Sequence, residues 1–261
     1  MKPAIAMLIA LSLGMATTAV AAPVHVYGPG GPAPAIKEAA AAYRAQTGTQ
    51  IRVVAGPTGE WLAGAKLDAD VIYSGSEANM TDFVKAMEGG IEEKTIQPLY
   101  LRASNILVRP GNPRRIRGLR DLLRPGLRVL VVQGAGQTGM WEDMAGRTGD
   151  IGMVRALRAN IVNFATTSAD AKKAWTQDRT LDAWIIWGIW QKANSTLADA
   201  VTVEEPYRIY RDTGVGLTRR GSDNPGARGF KDFLASPAGA RIFAKWGWIT
   251  PESANRPVTR R

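Results

Sequence analysis

Strand-like and helix-like patterns alternate along most of this chain of 261 residues, and the alternation limits the fold more than any other feature. Short runs of β-branched and aromatic residues are followed by turns rich in Gly, Ser or Thr, and each turn leads into a helical pattern. These turns span residues 28–34, 56–61, 74–77, 133–141 and 165–168. The alternation predicts an α/β fold with a mostly parallel sheet.

The same turns indicate where a ligand would bind. Ligands of open α/β sheets lie beyond the carboxyl ends of the strands, where helix N-termini supply unpaired N–H groups and a partial positive charge. Hydroxyl side chains occur at most of these turns: Thr58, Ser74, Ser76, Thr138, Thr166, Thr167 and Ser168. Capping of its own helix explains any one of them better than binding does. Their shared position is what favours an anion site.

The first turn, "YGPGGPAP" at residues 27–34, raises the alternative of a dinucleotide loop, because Gly28, Gly30 and Ala33 fit the pattern Gly-x-Gly-x-x-Ala. Such a site also needs an acidic residue at the end of the second strand, where this chain reads Val-Ala-Gly-Pro. Three prolines in the turn remove N–H donors. The later turn "QGAGQTG" lacks the Gly-Lys-Ser/Thr of a P-loop. No nucleotide and no other cofactor is therefore predicted.

Catalytic side chains are scarce in the composition. The chain has no cysteine and a single histidine, His25, so a thiolate nucleophile, a disulfide and a Cys/His metal site are all excluded. Asp68 and Asp70 flank the third strand, where acids at a turn and a strand start are the simpler explanation. We predict no catalytic residue and no metal ligand. A carboxylate pair of an exported hydrolase stays open as an alternative, since the chain has 23 acidic residues.

Residues 1–21 have the three parts of a secretory signal, namely Lys2, an apolar run at 4–15 and the cleavage site at 19–21. Cleavage after Ala21 predicts a soluble protein exported to the periplasm. No later segment is long and apolar enough to span a membrane.

The net charge of +10 favours acidic partners. Eight arginines and one acid, Asp121, lie between Arg102 and Arg128. A solvated face is the simpler explanation of this run, and a surface for a receptor or an acidic glycan is the alternative. Because no aromatic residues are interleaved with the arginines, we predict no nucleic-acid partner.

Several longer segments resemble one family. The signal sequence, "YGPGGPAP", "AGPTGEW" and "DADVIYSGSEANMTDF" are similar to periplasmic solute-binding proteins of the type II fold, and most similar to the accessory colonization factor group, which is related to molybdate- and sulfate-binding proteins. "NILVRPGNPRRIRGLRDLL" resembles the family's crossover into a second lobe. "RGFKDFLASPAGARIFAKWGWI" resembles its closing helix.

This resemblance implies two α/β lobes, each a mostly parallel sheet flanked by helices, joined by a two-strand hinge. Lobe 1 would comprise residues 22–104 and 187–261, and lobe 2 residues 105–186, with hinge strands near 104–107 and 184–187. The expected ligand contacts are Gly30, Gly31, Thr58, Ser74, Ser76, Gln137, Thr138 and Thr167.

The function implied is non-enzymatic. A monomer would bind a small anionic solute between its lobes, either a sulfate-like oxyanion or an organic molecule with an anionic group. It would pass the solute to an ABC permease, or signal it to a chemoreceptor, in the inner membrane. A ligand-sensing or adhesion module is the alternative besides the hydrolase.

Overall fold

Strands and helices alternate in the computed structural model much as the sequence predicts. The structure describes residues 22–134 and 136–254, so the predicted signal sequence lies outside the described residues. The strands are β1 Val24–Gly28, β2 Ile51–Ala55, β3 Val71–Tyr73, β4 Gln97–Val108, β5 Val129–Val132, β6 Ile161–Ala165, β7 Ala183–Trp187, β8 Asp199–Thr202 and β9 Tyr210–Leu217. The helices are α1 Ala33–Thr47, α2 Thr58–Asp68, α3 Glu77–Ala86, α4 Met140–Gly146, α5 Ile151–Asn160, α6 Ser168–Gln177, α7 Ile189–Ala193, α8 Arg219–Asp223, α9 Pro225–Ala235, α10 Pro237–Lys245 and α11 Pro251–Ala254.

The nine strands of the described chain form one mixed sheet in the order β2-β1-β3-β9-β4-β7-β5-β6, with β8 also paired to β4. Its two ends are parallel, since β1 pairs with β2 and β3, and β5 pairs with β6 and β7. Its middle is antiparallel around β4 and β9. The predicted α/β class is confirmed, but the sheet is continuous and mixed rather than two mostly parallel sheets.

The long strand β4 is the physical reason for this continuity. Its first part, Gln97 to Ala103, pairs with β9, and its last part, Ser104 to Val108, pairs with β7. One strand therefore belongs to both halves of the sheet. The sequence pattern at 99–108 predicts a strand but contains no sign of which partners lie on either side.

Two details of the second half differ from the sequence-based expectation. The stretch at 191–199 looks polar and loop-like in the sequence, but it begins within α7 and ends on the first residue of β8. The sequence pattern also predicts two short strands, at 207–210 and 214–217. In the structure a single strand, β9, covers Tyr210–Leu217, and a 3₁₀ turn at Glu205–Tyr207 precedes it.

The helices pack on the sheet through apolar faces that the sequence pattern predicts. In α1, Ile36, Ala39 and Tyr43 are buried on one stripe. The Tyr43 ring lies 5.6 Å from that of Phe230 in α9. Truncation of a buried aromatic of this kind costs about 3–5 kcal/mol. The first helix and the C-terminal helices are thus held against the same part of the sheet.

The carboxyl ends of β1 and β3 lie side by side, and this closeness requires glycine at the end of β1. A Cβ at Gly28 would collide with the backbone carbonyl of Tyr73 in β3. The turns that follow the two strands are therefore brought together at one edge of the sheet.

Among the described helices, none combines the length and hydropathy needed to cross a bilayer.

Candidate functional site

A cavity of about 360 Å³ lies where the turns after several strands meet. Its wall comprises the turns at 29–32 and 56–58, one face of α3, the start of α6 at 167–169, and the side chains of Arg102, Gln137 and Trp190. The N-terminal ends of α1, α2 and α6 all contribute to this wall. Their unpaired amides and aligned dipoles make the cavity favourable for an anion.

Five of the eight residues predicted from the sequence line this cavity: Gly30, Gly31, Thr58, Gln137 and Thr167. The remaining three, Ser74, Ser76 and Thr138, are not among the residues that line it. The structure thus brings together turns that are far apart in the sequence.

The three residues outside the cavity wall have other positions. The Oγ of buried Ser74 accepts a hydrogen bond from the Gly214 amide at 3.1 Å, which ties β3 to β9. The Oγ of Ser76 accepts from the Asn79 amide at 3.1 Å and caps α3. Thr138 is exposed. For Ser76, helix capping is thus the role that the contacts show.

The hydroxyl groups that line the cavity differ in the hydrogen bonds they make. Thr58 is the first residue of α2, and Pro57, not Thr58, holds the N-cap position, so the predicted capping role of Thr58 is wrong. Thr167, rather than the predicted Ser168, caps α6, since its Oγ1 accepts from the Asp170 amide at 3.1 Å. The Oγ of Ser168 instead accepts from Gln137 Nε2 at 2.7 Å.

Gly30 and Gly31 bring backbone N–H groups to the cavity. Neither amide donates a backbone hydrogen bond within the described part of the chain. A Cβ on Gly31 would lie only 3.2 Å from Arg102 Nη1. Glycine at this position therefore lets the turn approach the guanidinium closely.

Arg102 is the central charged group of the cavity and was not predicted from the sequence. It lies in β4, its exposed fraction is 2%, and no carboxylate of the described residues forms an ion pair with it. Its Nη2 donates to the Gly75 carbonyl, and its Nε has no hydrogen-bond partner. The guanidinium lies 4.6 Å from the ring centroid of Trp187 and 5.3 Å from that of Trp248.

Burial lowers the pKa of Arg102 to about 9, because the charged form loses hydration; the nearby charge of Asp212 opposes this effect. Arginine stays protonated near neutral pH under these conditions. A buried charge without a counter-ion is strongly unfavourable. The cavity therefore contains a buried cation, the Arg102 guanidinium, that has no anionic partner among the described residues.

A signal for Arg102 was present in the sequence. Side chains two residues apart in a strand share one face, and Tyr100, Ser104 and Ile106 are all buried on the same face of β4 as Arg102. Grouping Arg102 with the arginines that follow it in the sequence predicts a solvated face. Strand alternation indicates the opposite.

The face of α3 adds an amide and a carboxylate to the wall. Asn79 Oδ1 accepts from the Gly75 amide at 3.1 Å, and this bond leaves the Nδ2 group for a ligand. Asp82 lies one turn further along the same face. Across the described residues, no group of three or more His, Asp or Glu is arranged to hold a metal ion.

Comparison with known proteins identifies the class. The family of bacterial extracellular solute-binding proteins matches residues 24–249, and the chain belongs to this family, whose members bind solutes and are not enzymes. No curated protein sequence matches the chain.

Among solved structures, the chain is similar to PEB3 with bound L-phospholactate, at 37% identity and a TM-score of 0.82, with 87% of this chain and 99% of that one covered. PEB3 from Campylobacter jejuni also matches at a TM-score of 0.80. The sulfate-binding protein SubI of Mycobacterium tuberculosis shares the fold at 19% identity and a TM-score of 0.72, over 88% of both chains. The periplasmic molybdate-binding protein of Azotobacter vinelandii does so at 15% identity and 0.66, over 87% of this chain and 99% of that one.

Proposed function

We propose that this protein is exported to the periplasm through the signal sequence at 1–21 and binds a small anionic solute in the cavity beside Arg102. The observation that carries the proposal is the buried guanidinium without a carboxylate partner. An anionic group on the solute supplies that partner. Charge-assisted hydrogen bonds of this kind are roughly twice as strong as neutral ones.

The surroundings of Arg102 support an anion over any other ligand. The amides of Gly30 and Gly31, the Thr58 hydroxyl and the Asn79 amide group are donors on the same wall. Three helix N-termini add partial positive charge. An oxyanion can be held by such donors without a second charged side chain.

The size of the cavity favours an organic anion over a bare tetrahedral oxyanion. Its volume of about 360 Å³ falls in the range of roughly 300–1,000 Å³ that is typical of small-molecule pockets. The relatives' names cover both kinds of ligand, because SubI binds sulfate and PEB3 was crystallised with L-phospholactate. We propose a solute with an anionic group such as a phosphate or carboxylate on a short carbon chain.

We further propose that two lobes close around the solute, lobe 1 comprising 22–104 and 187–261 and lobe 2 comprising 105–186. The antiparallel pairing of β4 with β7, from Ser104 opposite Trp187 to Val108 opposite Ala183, supports a two-strand hinge there. The cavity wall takes Gly31 from the first segment and Gln137 from the second. A solute that contacts both lobes stabilises the closed form.

The solute would then be delivered by a monomer to an ABC permease, or reported to a chemoreceptor, in the inner membrane. Membership of a solute-binding family argues against the hydrolase alternative. For the surface-adhesion alternative, six of the eight arginines of the run are exposed, but two of the run are engaged within the fold. Arg109 lies against the Trp175 ring at 3.6 Å, and Arg114 pairs with Asp182 at 2.8 Å.

A thermal-shift screen of the mature chain from residue 22 tests the proposal. Sulfate, molybdate, phosphate, short organic phosphates and carboxylates are added in turn. A bound solute at about 100 times its Kd adds about 2.7 kcal/mol to the free energy of unfolding. We expect at least one anion to raise the Tm, and the increase to be lost in Arg102→Met and reduced in Thr58→Ala. If the anion raised the Tm of both variants as much as that of the wild type, the proposed binding site would be wrong.

A further inference from the structure

We infer that the solute carries a hydrogen-bond donor, such as a hydroxyl, beside its anionic group, and that Asp82 is the residue that selects for this donor. The inference rests on the proposed function, since it concerns the same cavity. It is based on two acceptor groups of the wall that have no partner in the protein.

The first acceptor is the amide oxygen of Gln137. The side chain is only 2% exposed, and its Nε2 donates to Ser168 Oγ at 2.7 Å. Its Oε1 is buried and has no hydrogen-bond partner in the described structure. An unsatisfied buried acceptor loses its hydration without compensation. Sulfate and molybdate carry no proton near neutral pH, so neither can satisfy it.

The second acceptor is the carboxylate of Asp82. It lines the cavity, and within 22–134 and 136–254 it takes part in no ion pair and no hydrogen bond. The other exposed acid of α3, Glu77, does not line the cavity. Asp82 is thus a free negative charge on a wall that otherwise attracts anions.

The position of Asp82 on α3 sets which part of the solute it meets. Asn79 binds the Gly75 amide, and the Gly75 carbonyl binds Arg102, so Asn79 lies at the level of the guanidinium. Asp82 follows three residues later, about 4.5 Å further along the helix axis. The cavity wall continues along α3 from Asn79 to Asp82, Phe83 and Ala86, so a solute that extends from Arg102 along this helix meets Asp82.

Arg102 and the two acceptors together make the cavity selective. It favours a solute that carries both an anionic group and a hydrogen-bond donor. A hydroxyl on the solute donates to the Asp82 carboxylate or to Gln137 Oε1. A bare oxyanion has no proton for either acceptor, so it leaves the buried Gln137 Oε1 unpaired and is repelled by Asp82. Sites built to hydrogen-bond a substrate group reject analogues that lack it, because the site's own polar groups are then left unpaired.

Two probes of equal charge and chain length test the inference by isothermal titration calorimetry. Glycerol 3-phosphate carries two hydroxyls, and n-propyl phosphate carries none. We expect the wild-type protein to bind glycerol 3-phosphate at least about tenfold more tightly, the value of one charge-assisted hydrogen bond. In Asp82→Ala this ratio should fall to about threefold or less. Sulfate should bind several-fold more tightly to the variant than to the wild type, because the repulsion is gone.

Glu77→Ala is the matched control, since it removes the same charge from the same helix outside the cavity. The ratio between the two probes should not change in this variant. Alanine is the best helix former, and both side chains are exposed, so both variants should fold.

Equal binding of the two probes by the wild type, an unchanged ratio in Asp82→Ala, or binding of sulfate or molybdate but of neither organic phosphate would overturn the inference. The proposed anion site would survive each of these results if Arg102→Met abolished binding, whereas binding of sulfate or molybdate alone would also exclude the organic solute proposed above. Binding of no anion at all would refute the proposed function and the inference with it.

Discussion

Replacement of Arg102 by methionine should abolish solute binding without loss of stability in the solute-free protein. A buried arginine with a structural role behaves differently, since breaking a buried ion pair costs about 3–5 kcal/mol. Arg102 has no ion pair within the described residues. Its buried charge therefore destabilises the solute-free protein. The prediction therefore separates a binding arginine from a structural one.

The magnitude follows from opposing contributions. The depression of the Arg102 pKa to about 9 by burial corresponds to roughly 5 kcal/mol of unfavourable electrostatic free energy. Against this stand the hydrogen bond to the Gly75 carbonyl, about 1.5–3 kcal/mol, and the contacts with the rings of Trp187 and Trp248, about 1 kcal/mol each. Methionine keeps most of the packing. We expect stability equal to the wild type or higher by up to about 2 kcal/mol.

Urea unfolding of the mature chain, followed by circular dichroism in a buffer without phosphate or sulfate, measures this difference. The m-value should stay the same, so that a change in the midpoint reports stability. A loss of more than about 3 kcal/mol in Arg102→Met would refute the reasoning. Such a loss would show that the Arg102 guanidinium stabilises the fold and is not kept there for ligand binding.

Three further outcomes are expected. Gly31→Ala places a Cβ 3.2 Å from Arg102 Nη1, so it should weaken anion binding in calorimetry while the urea midpoint changes little. Asp143→Asn removes the 2.7 Å ion pair with Arg211, which crosses between the proposed lobes; stopped-flow kinetics should show solute release several-fold faster. Burial and Asp68 raise the pKa of Tyr27 to about 12, so the unfolded chain loses this proton first and stability falls as pH rises from about 10 to 12. Urea midpoints at pH 9 and 11 should differ less in Tyr27→Phe than in the wild type.

Much of the fold follows from local sequence patterns. The apolar stripe of α1 and the glycine that ends it predict this helix within two residues, and Gly48 has the expected left-handed φ of 77°. β3 is predicted without error because three consecutive apolar residues, Val71 to Tyr73, form a buried strand. Local patterns do not predict the antiparallel centre of the sheet, because the partners of β4 are more than 70 residues away in sequence. Only the resemblance to solute-binding proteins indicates one part of it, the hinge strands near 104–107 and 184–187.

The candidate site is predictable only in part, for a physical reason. A serine or threonine at a helix N-terminus can cap the helix or bind a ligand, and the sequence is the same in both cases. Ser76 caps α3, whereas Thr58 does not cap α2. The close approach of Gly31 to Arg102 joins residues 71 positions apart, and nothing local to either residue encodes it. Strand alternation in β4 is the one local signal that indicates the buried arginine.

A crystal structure of the mature protein with an anion found in the thermal-shift screen is the most direct test of the central claim. We expect the anionic group of the solute to lie within hydrogen-bond distance of the Arg102 guanidinium and of the Gly30 or Gly31 amide. A solute bound elsewhere, or one whose anionic group points away from Arg102, would contradict it.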